Sequence, residues 1–430
     1  MFTHAMNSTL LPLAFLYPVG LLLAFWSNLP RDRLSEAALA AVVTAVTAIV
    51  AYVGFGFAIQ FGGAGLTTFA PDGLRGLDLA WSPFPAGAGR WTFAGLEGFF
   101  LGADGSASSL ALAPALALHR LPPAIAAGLI PVITLANRVH RPTLILAGLI
   151  SSAVLYSLIG AWVWGGGWLA SLGLNLNLGH GAVDVAGSGI VFFASACAAF
   201  IAVKLLARPD APDRPLARRP AAALIGAVLF GAGWSAWALS DPLLAVQQPG
   251  QTASVALTGL VAAAAASATV GLIEWLATGR FDVFAVVRGS LAGWVAAGAS
   301  AWFISPGSAA LIGFVAGAAV PGAHFALGVT AGASDRSYAV ATLGSAGAWS
   351  LVALGLFADG AFGSGWNGIA GGVRGALDGD PGQLTAQIAA LAAIGLAAAG
   401  IAGMLFWPLS TLARRINPVR APASPEPPRR

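Results

Sequence analysis

The run Asp184-Val-Ala-Gly-Ser-Gly-Ile-Val-Phe-Phe-Ala-Ser-Ala-Cys-Ala-Ala-Phe-Ile-Ala-Val-Lys204 holds nineteen residues between two charges. As a helix rising 1.5 Å per residue, it reaches roughly across the 30 Å hydrocarbon core of a bilayer. Working outward, the same pattern recurs. Eleven apolar spans are expected, over 9–27, 37–60, 112–135, 143–164, 184–206, 221–241, 253–276, 288–304, 308–330, 338–358 and 384–407. The first span has no Lys or Arg ahead of it in Met1–Leu10 and no small-residue cleavage site after it, so it reads as a retained helix.

Composition agrees. Charged residues are 9% of the 430 and hydrophobic ones 57%, whereas a soluble domain carries about 25% charge. Too few polar side chains exist to dress a soluble globule of this size. With 14 Trp and 23 Phe the chain is no disordered polymer. A single Cys excludes a disulfide framework and an all-Cys metal site. A net charge of +4 with scattered basic residues argues against a nucleic-acid partner. The 56 glycines, near double the usual share of about 7%, suit helices packed closely in lipid.

Basic residues orient the chain. With the N-terminus outside and eleven crossings, 17 of the 21 Lys and Arg fall in cytoplasmic loops and the tail; Arg75, Arg90, Arg120 and Arg374 do not. The expected membrane domain is 1–407, with a Pro-rich disordered cytoplasmic tail over 408–430. Helix five opens with Asp184-Val-Ala-Gly-Ser-Gly189 and helix ten contains Leu343-Gly-Ser-Ala-Gly347, on helices of opposite direction. That echo suits inverted halves, about 1–206 and 221–358, with a peripheral eleventh helix over 384–407.

Two neighbouring motifs, Ala161-Trp-Val-Trp-Gly-Gly-Gly-Trp-Leu-Ala-Ser171 and Gly181-Ala-Val-Asp-Val-Ala-Gly-Ser-Gly189, resemble the signature of the ammonium transporter/Rhesus channel family. That family places Trp-Gly-Gly-Gly at the outer end of helix four and an Asp-led motif at the start of helix five. Ala136-Asn-Arg138, Gly233-Trp-Ser-Ala-Trp237 and Arg288-Gly-Ser-Leu-Ala-Gly-Trp-Val295 are similar to its motifs on helices three, six and eight. The resemblance runs in order from about 10 to 407. It implies an all-α, eleven-helix homotrimer in a prokaryotic plasma membrane, each subunit with its own narrow hydrophobic pore. The implied solute is ammonium/ammonia or a similar small species, with no cofactor and no enzymatic activity.

The departures carry as much weight. The family's two facing mid-pore histidines fall on Phe192 and Leu343, and the five histidines, His4, His119, His140, His180 and His324, lie elsewhere. No acidic, Gly-rich regulatory tail is evident, and Leu174–His180 reads as an insertion.

The resemblance implies an outer cation site of Trp164, Asp241 and His119, and a gate involving Pro123 and Trp237. Each has a plainer reading. Trp164 is either the indole of that site or one more Trp of the interfacial belt with Trp162 and Trp168. Asp241 stands where the family has a small hydroxyl residue, so it either concentrates cations at the mouth or ends helix six before Pro242. His119 either closes the site or forms a helix-start polar pair with Arg120, since Pro122-Pro123 would disturb a helix. Asp184 is expected to cap helix five through the amides of Ala186 or Gly187. Cys197 reads as packing, and no metal cluster, His-x-x-x-His or Gly-x-Ser-x-Gly is present in the sequence.

Three functions compete: a channel for ammonia or a related species, a non-conducting pseudo-transporter acting as sensor or structural trimer, and a pore for carbon dioxide. Without the imidazole pair little or no ammonium current is expected. Phe192→His with Leu343→His should restore it if only the pair is missing.

Overall fold

A computed structural model describes residues 9–84, 91–102, 110–136, 138–206, 216–243, 251–331 and 337–416. Eleven apolar helices run through the described residues. They are α1 (Leu11–Trp26), α2 (Arg31–Leu66), α3 (Ala113–Leu135), α4 (Arg141–Val163), α5 (Ser188–Leu206) and α6 (Pro220–Leu239). Then follow α7 (Thr252–Thr278), α8 (Val283–Gly298), α9 (Pro306–Ala331), α10 (Val340–Phe357) and α11 (Pro381–Ile416). Nine are long and apolar enough to cross a membrane, and α1 and α8 are shorter. Among the described residues the one strand pair is a two-residue ladder, Ala80–Trp81 against Ala94–Gly95. Large apolar side chains such as Val46, Val228, Leu260, Phe314 and Leu396 point outward, which is stable against lipid and not against water.

Glycine lets helices approach backbone to backbone. A Cβ on Gly20 of α1 would strike the backbone nitrogen of Phe230, and one on Gly226 or Gly233 of α6 would strike the nitrogens of Ala24 or Tyr17. Lipid supplies no hydrophobic drive between helices, so this backbone approach is where α1 and α6 gain their dispersion energy. α3 lies at the centre, with nearly all of its residues buried. Helices α5 and α10 both open in a π turn, Ser188–Phe193 and Val340–Gly344, and the two turns pack together.

Three expectations change. The eighth helix starts at Val283 rather than 288, because Asp282 caps it by accepting from the Phe284 amide at 3.1 Å. Asp282 also pairs with Arg218 at 3.0 Å. The eleventh helix does not stop at 407: it passes through Pro408 to Ile416, so 408–416 is helical, not tail. The Ser410 hydroxyl donates to the Trp407 carbonyl and Thr411 to Pro408, and these bonds serve carbonyls around the proline. Finally, Pro122 and Pro123 sit inside a continuous α3. His119 and Arg120 are therefore buried within a helix, not a polar pair at its start. Residue 137 of the third-helix motif, 417–430 of the tail, His4, and Arg90, Arg208, Arg214 and Arg336 of the charge count lie outside the described residues.

Candidate functional site

The missing amide of Pro123 frees the carbonyl of His119, four residues earlier, from the helix ladder. That carbonyl accepts a hydrogen bond from Trp237 Nε1 at 2.8 Å. The Trp237 carbonyl in turn lies 2.8 Å from His119 Nε2. A carbonyl only accepts, so Nε2 carries the proton and Nδ1 is left as an acceptor, without a partner among the described residues. The two rings stack at 5.3 Å and 20°. His119, not Pro123, is thus the ring facing Trp237.

Beside this stack lies an open-mouthed pocket of about 140 Å³. The end of α2 contributes Phe61, α3 Arg120, and the turn after α4 Trp164. Asp184 and Val185 come from the segment leading into α5, Asp241 from beyond α6, and Trp366 and Asn367 from the loop before α11. Of the expected outer-site residues, Trp164 and Asp241 meet here. His119 does not line the pocket; its ring is turned to Trp237 instead.

What holds Trp164 and Asp241 together is Arg120, which the sequence suggested only as a helix-start partner of His119. The guanidinium of Arg120 lies 4.1 Å from the Trp164 ring centroid, and its Nη2 donates to Asp241 Oδ2 at 3.0 Å. Arg120 is 2% exposed. Asp241 also accepts from the Leu243 amide at 2.9 Å. Asp241 lies past the end of α6; burial pushes its carboxyl up, and the Arg120 guanidinium, joined by His119 and the Leu243 amide, holds it below the usual carboxylate range. The expectation of a free carboxylate offered to passing cations is therefore corrected: Asp241 is committed to Arg120. Arg120 Nε and Nη1 have no hydrogen-bond partner among the described residues.

Asp184 caps α5, but not through Ala186 or Gly187. Its two oxygens accept from the amides of Ser188, Gly189 and Ile190 at 2.7, 2.8 and 2.9 Å. The shift has a local cause: Gly187 takes φ +63°, which turns the chain before the first helical amide. The Asp184 carbonyl receives Trp164 Nε1 at 2.6 Å, which locks the indole. From outside, two glutamines of α11 bind the backbone that leads into Asp184. Gln383 accepts from the His180 amide and donates to the Gly181 carbonyl. Gln387 accepts from the Val183 amide and donates to its carbonyl. Asn367 adds a bond to the His180 carbonyl at 2.8 Å. A Gln in an apolar helix is the signal that would have found them. Asp184→Ala is expected to lower unfolding stability in detergent by about 3 kcal/mol, since three buried amides lose a charged acceptor. An unchanged thermal midpoint would show that the cap is replaceable.

From the pocket a chain of touching rings leads into the core. Trp164 meets Trp237 at 6.0 Å, Trp237 meets Tyr17 at 6.0 Å, and Tyr17 meets Phe192 at 6.4 Å. Phe192 also packs on Phe230 at 5.9 Å. Tyr17 was not foreseen; it lies on α1, and its hydroxyl has no partner among the described residues. Phe192 and Leu343 are both fully buried, on the two π turns that pack together. An imidazole at either position would offer hydrogen bonds, and these side chains offer none.

Comparison with known proteins supports the same picture. The Ammonium Transporter Family model matches residues 14–419. The chain is 34% identical over 239 residues to ammonium transporter Amt2 of Archaeoglobus fulgidus, covering 54% of this chain and 50% of that one. It is 28% identical over 324 residues to an ammonium transporter of Bacillus subtilis, covering 74% and 75%. The match thus spans half the length of the archaeal relative and three quarters of the bacterial one. The crystal structure of Candida albicans Mep2 superposes with a TM-score of 0.72 at 19% identity, over 96% of this chain and 84% of that one. A multi-pass helical bundle, the ordered motifs around Trp164 and Asp184, and a family match over nearly the whole chain lead to one conclusion: the chain belongs to the ammonium transporter family.

Proposed function

We propose that the protein is a channel of a prokaryotic plasma membrane that passes ammonia or a similarly small neutral solute, and that it is not an enzyme. Its relatives are named ammonium transporters. The observation that carries the neutral form is the middle of the path. Phe192 and Leu343 stand buried on adjoining π turns, and a bare charge pays heavily to pass such a surface. Asp184 then acts as a positioning residue, holding Trp164 and the start of α5. The paired π turns support the reading of inverted halves, and the 17 of 21 basic residues support an outside N-terminus. A homotrimer follows from the family; light scattering in mild detergent should give three subunits after subtraction of the detergent, and a one-subunit mass would refute it.

Flux into liposomes tests the reading. Ammonia should raise the luminal pH faster than in empty vesicles, while methylammonium leaves no saturable uptake. The ring-to-ring contacts from Trp164 to Phe192 favour a second reading, a closed pseudo-transporter kept as sensor or structural trimer. Vesicles indistinguishable from empty ones would establish it over the channel. Acceleration for carbon dioxide alone would move the assignment to a gas pore.

A further inference from the structure

The guanidinium of Arg120 has the position and the partners of a bound cation. An aromatic face and a carboxylate together are what a cation site is made of. Here both are already engaged, by Trp164 at 4.1 Å and Asp241 at 3.0 Å. Both are also held from behind: Trp164 by its bond to the Asp184 carbonyl, Asp241 by the Leu243 amide. A planar, weakly hydrated guanidinium suits such a seat better than an ammonium does, since it stacks on the ring while bonding the carboxylate.

We infer that Arg120 is the specificity-determining residue of the outer mouth, a tethered cation that fills the Trp164–Asp241 seat and keeps free monovalent cations off it. The inference rests on the channel reading above and deepens it by naming what the mouth rejects. Two principles carry it. A tethered group competes at an effective concentration of millimolar or more, above that of a dilute free ion. A second positive charge on the Trp164 face would also sit beside the first, with the Asp241 charge already met. The remaining lining, with Phe61, Val185 and Trp366, is largely apolar and suits a neutral visitor.

Vacating the seat tests this. Purified protein in detergent is heated with guanidinium chloride up to about 20 mM, far too dilute to denature, against equal sodium chloride. Arg120→Ala should show a guanidinium-specific rise of several degrees in Tm, half-saturated at low millimolar concentration by the mass action of a ligand that binds only the folded form. The native protein and Arg120→Ala/Asp241→Ala should stay flat. A folded Arg120→Ala that does not respond, or a native protein that responds equally, overturns the inference. If Arg120→Ala yields no folded protein, Arg120→Gln keeps most of the side-chain bulk and removes the charge. It should bind methylammonium at least ~10-fold more tightly than the native chain, and equal affinity overturns the inference. Binding is read without flux: native vesicles that pass no ammonia overturn the channel reading, and the binding comparison still decides the role of Arg120.

Discussion

Asp241→Ala is expected to destabilise the folded protein by about 3–5 kcal/mol, the range for removing one partner of a buried ion pair. Asp241 and Arg120 are 6% and 2% exposed at their side chains and bonded at 3.0 Å. Without the carboxylate, the guanidinium keeps ring faces alone, Trp164 at 4.1 Å and Phe61 at 6.0 Å, and its Nε and Nη1 have no hydrogen-bond partner among the described residues. The cost comes from the abandoned charge more than from the lost attraction. Removing both partners should therefore be cheaper than the sum of the single changes. Denaturation midpoints of Asp241→Ala, Arg120→Ala and the double variant form the cycle. Additive costs, or a loss below about 1 kcal/mol for Asp241→Ala, would mean that the pair does not hold the mouth together.

The second large effect concerns charge movement. The native chain should give no saturable ammonium current, for two separable reasons: the outer seat is filled by Arg120, and Phe192 and Leu343 replace groups that could accept and relay a proton. His is the side chain that does so near neutral pH. Restoring the imidazoles alone, with Phe192→His and Leu343→His, repairs only the second fault. The pair is thus expected to yield at most a small current. Adding Arg120→Ala should raise it at least ~10-fold, because free cations then reach the Trp164 face beside an unpaired Asp241. Solid-supported membrane recordings on vesicles of matched protein content provide the comparison. If the double variant already conducts as well as the triple one, Arg120 does not govern the mouth.

Much of the fold was readable because a bilayer leaves little freedom. A chain that must satisfy its own backbone in lipid forms long apolar helices, and such runs are visible in the residues alone. The expected spans and the observed helices agree to within six residues at each end, except that α11 runs nine residues past 407; the cap of α8, Asp282 ahead of Val283-Phe284-Ala285, was itself legible. The site was readable only in part. Trp164 and Asp184 stand in a motif of neighbouring residues, and Phe192 and Leu343 could be placed by counting from motifs. Arg120 could not, because its partner Asp241 is 121 positions away and nothing local announces the pairing. Its neighbours pointed the wrong way: Pro122-Pro123 looked like a disrupted helix start, whereas Pro123 sits mid-helix and leaves the His119 carbonyl free for Trp237. The bonds from Gln383 and Gln387 to residues 180–183 span about two hundred positions and were equally hidden.

In the proposed channel, solute crosses uncharged because the mouth holds its own cation and the way below it is aromatic. The most direct measurement records membrane current and luminal pH together, on native protein in sealed liposomes given a pulse of ammonium. The predicted result is luminal alkalinisation above that of empty vesicles, with no saturable current. A robust current that saturates with ammonium concentration would contradict the account, because charge would then be crossing a path that offers it neither an open seat nor a proton relay.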